Sequence, residues 1–92
     1  MDRRLKEKMD QKINETFENI DEVTQIVKSL NVLSDNTNSF GFGIVIGRLY
    51  NSFYYQSRRI LKRDPTKEEF LEFLGILKQR QQEFRKKLDF KL

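Results

Sequence analysis

Arg58-Arg59-Ile60-Leu61-Lys62-Arg63 places four bases within six residues, with no acid among them. Cations at that spacing neutralise phosphates, and Tyr55, about one turn earlier, offers a ring on which a nucleic-acid base can stack. Arg58, Arg59, Lys62 and Arg63 are therefore candidate nucleic-acid contacts. A plainer account stands beside this one. Cations at a helix C-terminus are favoured by the helix dipole by about 0.3–1 kcal/mol each, so part of the cluster needs no ligand. Asp64, Glu68 and Glu69 follow directly and can neutralise it.

No other set of residues spells out a reaction. The chain has no cysteine and no histidine, which removes thiolate chemistry, disulfides, imidazole acid–base catalysis and ordinary zinc sites. Carboxylates are plentiful, but none falls into metal-ligand spacing and no serine sits in a nucleophile elbow. Gly41, Gly43 and Gly47 lack the lysine and serine or threonine of a phosphate-binding loop. We expect no catalytic residues, no metal, no cofactor and no small-molecule substrate, and hence no enzyme.

Charge is arranged rather than abundant. Eighteen bases against fourteen acids give a net charge of +4. Residues 40–63 hold five bases and no acid, whereas the flanking segments are close to balanced. The N-terminal MDRRLKEKMDQK lacks the apolar centre of a signal peptide. The apolar run Phe40 to Tyr50 is well short of the roughly 20 residues a spanning helix needs, and Arg48 interrupts it. The expectation is a soluble, cytoplasmic chain with no membrane partner.

Three elements must carry these residues. Leu5, Met9, Ile13, Phe17, Ile20, Val23, Val27 and Leu30 recur at steps of three and four, which predicts an amphipathic helix over about residues 2–31. Ser34 to Ser39 is a run of turn and cap formers that ends it, with Asn38 or Ser39 as N-cap of the next helix. That central helix covers about 40–63, with Phe42, Ile46, Leu49, Tyr50 and Phe53 toward its neighbours. The β-rich composition of 42–46 leaves a short strand there as the alternative. Thr66 with Glu69 reads as a capping box, with Pro65 stapled on Phe70, and starts a third helix over about 66–89. Phe90-Lys91-Leu92 is expected to fray.

The implied fold is all-α: a single domain over 1–92, three long helices in an up-down-up antiparallel bundle, completed by oligomerisation or a partner. Tyr50 in this arrangement reaches Gln81 with its hydroxyl, and Gly43 and Gly47 make room for Leu88 and Phe84 or admit a second subunit. Apolar residues remain on the far side of the central helix. Phe40, Gly43, Ile44, Val45, Gly47, Tyr54 and Tyr55 are thus the candidate partner interface. The sequence points to a small interaction or assembly subunit that self-associates, as a homo-oligomer, or docks on a larger protein complex. A small nucleic-acid-binding protein is the alternative.

Overall fold

A computed structural model of the chain describes residues 1–91, and Leu92 lies outside the described residues. All regular structure among the described residues is helical. The elements are α1 (Arg3–Glu18), α2 (Asp21–Ser29), a 3₁₀ turn (Asn31–Leu33), α3 (Thr37–Leu61), α4 (Lys67–Gln79) and α5 (Gln81–Lys87). Three long helices are therefore replaced by five, and residues 42–46 lie inside α3 rather than in a strand.

The first predicted helix breaks at Asn19-Ile20. Three side chains turn back on the helix there: Asn19 Nδ2 donates to the Glu15 carbonyl at 3.1 Å, Thr16 Oγ1 to Lys12 O at 2.9 Å and Thr24 Oγ1 to Ile20 O at 3.2 Å. Such bonds compete with the backbone ladder and bend helices. Asp21 and Glu22 then occupy the first turn of α2, where the dipole favours acids.

The third predicted helix breaks at Arg80, amid good helix formers, for a tertiary reason. Arg80 turns toward α1 and donates to Asn14 Oδ1 at 2.6 Å while its Nε holds Glu83 at 2.6 Å. Its guanidinium lies 5.7 Å from the centre of the Phe17 ring, which also meets Phe84 edge-on at 5.1 Å and the Lys87 ammonium at 4.9 Å. One arginine and one ring fasten the α4–α5 junction to α1.

α1 and α3 run antiparallel. Arg4, Lys8 and Gln11 lie beside Arg59 and Ile60, whereas Lys12, Thr16 and Asn19 lie beside Arg48 and Ser52. α4 follows the direction of α1, from Glu72 at the Met1 ammonium to Arg80 at Asn14. The core between them takes Leu5, Met9 and Ile13 from α1, Val23 and Val27 from α2, Val45, Leu49 and Phe53 from α3, and Phe73, Ile76 and Leu77 from α4. Phe53 and Phe73 stack at 4.6 Å with rings 2° from parallel.

Both caps of α3 differ from a simple reading. Its N-cap is Asn36, whose Oδ1 accepts from the Ser39 amide at 2.9 Å, so the helix starts three residues before the expected Phe40. Asn38 is used differently, accepting from the Phe90 amide at 2.7 Å. Its C-cap is Lys62, in the left-handed region at φ 60°.

The expected fraying of Phe90 does not occur. Leu88 leaves α5 in extended conformation, and Leu88 and Phe90 are both 2% exposed. Phe90 packs edge-on to Phe42 at 5.8 Å and lies directly against Gly41. The Thr66 cap forms as expected: Thr66 Oγ1 accepts from the Glu69 amide at 3.1 Å and Glu69 Oε1 from the Thr66 amide at 2.8 Å.

Candidate functional site

What α3 offers to a partner depends on which stripe it buries. The buried stripe is Gly41, Val45, Leu49, Phe53 and Ser57, joined by Gln56. Leu49 and Phe53 are buried as expected, but Gly41 and Val45 take the places expected of Phe42, Ile46 and Tyr50. Successive residues are about 100° apart, and the buried stripe is turned from the expected one by roughly half of that, which brings Ile46 and Tyr50 outward.

The seven candidate interface residues are therefore divided. Val45 is fully buried beside Val23 and Leu49, and no partner reaches it without unfolding the core. Phe40 and Ile44 are half-buried against the core. Gly43 and Gly47 face outward, and a methyl added to either meets nothing within 4 Å among the described residues. They are not notches for Phe84, Leu88 or α1. The close approach occurs instead at Gly41, where the Phe90 ring fills the space of a side chain. Tyr55 is exposed, and Tyr54 is half-buried with its ring 5.2 Å from that of Tyr50.

Between and beside Gly43 and Gly47 stand two side chains that sequence reasoning had turned inward. Ile46 is 36% exposed and Tyr50 40%. Tyr50 does not bond Gln81; its ring rests edge-on against Tyr54 and, at 5.9 Å, against Phe70 of α4. One turn beyond Phe70, Leu74 is 41% exposed, and Leu71 beside it is also exposed. Gly43, Ile46, Gly47, Tyr50 and Leu74 thus form an outward apolar face across α3 and α4. Below it, an open cleft of 640 Å³ runs between the start of α3 and α5, with Phe42, Ile46 and Leu77 in its floor and Arg85, Lys86 and Lys91 around it. The detectable sequence signal was the four-residue step Phe42, Ile46, Tyr50, Tyr54, uncharged and with glycine beside its first two members.

The four candidate nucleic-acid contacts are also divided. Arg58 Nε holds Asp64 at 2.5 Å. Arg63 grips Glu69 with both terminal nitrogens, at 2.7 and 3.2 Å, and donates to the Asp64 carbonyl. The bond from Arg63, helped by the Thr66 amide, holds the Glu69 carboxyl down at about 2, and the two arginines are raised in turn by their carboxylates. Arg59 and Lys62 are exposed and make no ion pair among the described residues. Arg59 shares a groove with Arg4 and Lys8, but Arg4 is paired with Asp2 at 3.4 Å and Lys8 bonds Gln11. Half of the cluster is spent on holding the α3–α4 connection.

No group of His, Cys, Asp and Glu among the described residues is arranged to hold a metal ion. No helix among them is long and apolar enough to cross a membrane. Compared with protein-family models, curated proteins and solved structures, the chain finds no match in any of the three.

Proposed function

We propose that the protein is a non-enzymatic helical interaction or assembly subunit, and that it meets its partner through the outward face of α3 and α4. The observation that carries this reading is the exposure of Ile46, Tyr50 and Leu74 beside two glycines with open space in front of them. A surface helix usually buries its one apolar stripe, and α3 already buries one on the opposite flank. Contiguous apolar surface of this kind marks contact sites. On this reading an up-down-up bundle, with its first and last rods bent, is completed by oligomerisation or by a protein partner. The lack of cysteine suits the cytoplasm.

Ile46→Glu and Leu74→Glu test it, because both positions are exposed and a charge there leaves the core intact. Association, with itself or with a protein captured from native extract, should fall at least tenfold while the helical circular dichroism signal stays. Association unchanged by both substitutions, or a wild-type chain that associates with nothing, overturns the reading.

The second reading, a small nucleic-acid-binding protein, draws on the free cations Arg59 and Lys62. Two contacts give a salt slope of about −2 in log K against log salt on duplex DNA, not the −4 of a cluster of four. Arg59→Ala with Lys62→Ala should abolish that slope. Binding absent at low ionic strength, or unmoved by the pair, removes it.

A further inference from the structure

The outward face of α3 is complementary to itself. It reads Ser39, Gly43, Ile46, Gly47, Tyr50, Tyr54, with its small residues toward the start of the helix and its large ones toward the end, and every member but the half-buried Tyr54 is exposed. Turn a second copy end over end about an axis through the Ile46–Gly47 peptide, perpendicular to the helix. Tyr50 then faces the partner's Gly43 and Tyr54 the partner's Ser39, while Ile46, about 100° around the helix from Gly47, meets the partner's Ile46 at the axis. The two tyrosines meet small residues, and the open space in front of Gly43 is where the partner's Tyr50 fits. A two-fold interface requires a patch that fits its own rotated copy.

Charge selects the same orientation. Between Lys28 and Arg58 the chain holds only Asp35 and Arg48, and Arg48 stands on the other flank of α3, in the cleft with Lys12 and Glu15. The face itself is uncharged. Asp35, exposed and in no ion pair among the described residues, precedes one end of α3, and Arg59 and Lys62, likewise unpaired among them, mark the other. Antiparallel copies bring each Asp35 to the partner's basic end and set the two helix dipoles head to tail. Parallel copies would stack the basic ends on each other.

The dimensions suffice. α3 has 25 residues, about 37 Å of helix, and runs the length of a molecule measuring 40 × 22 × 21 Å. One long side is of the order of the roughly 800 Å² per partner in a standard interface. Leu74 on α4 would flank the pair.

From this shape and charge matching we infer that the occupant of the face is a second copy of this chain, paired antiparallel along α3 with Tyr50 seated on the partner's Gly43 and Ile46 against the partner's Ile46 at the axis. The inference rests on the reading of this face as a contact surface.

Sedimentation equilibrium of the full chain should give twice 11.1 kDa, falling to 11.1 kDa in Ile46→Glu. Because the chain lacks cysteine, single cysteines then fix the register. Gly47→Cys, next to the axis, should form a disulfide dimer with itself on oxidation by air. Ser39→Cys and Tyr54→Cys lie about 22 Å from their own copies, so each alone should stay uncrosslinked and a mixture of the two should crosslink. A strict monomer at millimolar concentration overturns the pairing, as does Ser39→Cys linking to itself. If that monomer still loses a different captured protein in Ile46→Glu, the contact face survives and the second copy does not. If Ile46→Glu changes nothing, both fail.

Discussion

The Phe90 ring occupies the position that a side chain on residue 41 would take. Gly41 is buried in α3, and the tail of the chain is fastened over it by the Asn38 to Phe90 hydrogen bond. Glycine in a helix interior is ordinarily about 1 kcal/mol worse than alanine. At position 41 the sign should reverse: Gly41→Ala overpacks a filled site and should cost about 1–3 kcal/mol. Gly75→Ala, with open space around it, should gain about 0.5–1 kcal/mol. Urea unfolding of the two variants beside wild type checks the pair.

Glu69 gives the fold a defined acid sensitivity. Its carboxyl is held at about 2 by Arg63 and the Thr66 amide, against an ordinary value of 4.5. A folded-state value below the unfolded one stabilises the native chain above the unfolded value, and the contribution disappears as pH falls through the folded value. Glu69→Gln should therefore be less stable than wild type at pH 7. The gap should be on the order of 2 kcal/mol, reduced from the full linkage value because Arg63 is half exposed. It should narrow below pH 4.5 and close near pH 2, which urea midpoints measured across that range would show.

Arg80 ties the α4–α5 junction to α1 through Asn14, and its side chain is largely buried. Arg80→Met should lose about 2 kcal/mol, the scale of a charged hydrogen bond. Arg80→Lys should recover little, because an ammonium cannot bridge Asn14 and Glu83 in the geometry of the planar fork. A double-mutant cycle with Asn14→Ala should show a coupling of about 0.5–2 kcal/mol.

Gln56 is buried on α3, and its Oε1 has no hydrogen-bond partner among the described residues. Leaving a buried acceptor unsatisfied costs about 1–3 kcal/mol. Gln56→Met keeps the shape and removes the acceptor, so it should raise the thermal midpoint by several degrees. A lowered midpoint would mean that the amide is serving a bond the fold depends on.

The parts of this architecture that follow local rules were legible in the sequence. The period of Leu5, Met9 and Ile13 and the Thr66–Glu69 cap are set by residues within a turn of each other. Tertiary contacts were not. The phase of α3 was ambiguous because its buried stripe begins with Gly41 and ends with Ser57, so the more apolar Phe42–Ile46 stripe looked like the core. Gly41 is buried because Phe90 returns over it, a contact spanning half the chain. The break at Arg80 likewise depends on Asn14, and nothing within residues 76–84 announces it. The division of the basic cluster was half legible: Asp64 and Glu69 were visible as neutralising acids, but not which arginines they would take.

The central claim is that the face formed by Gly43, Ile46, Gly47, Tyr50 and Leu74 is where this protein is held. The most direct measurement is a series of amide proton–nitrogen NMR spectra of the unmutated chain at rising concentration. Shifts and broadening should gather on those residues and leave the exposed apolar tip at Val32 and Leu33, and the free cations Arg59 and Lys62, unchanged. Changes centred on the tip or on the cations would contradict the account, whereas spectra that do not change with concentration would remove the self-pairing and leave the face to a different protein.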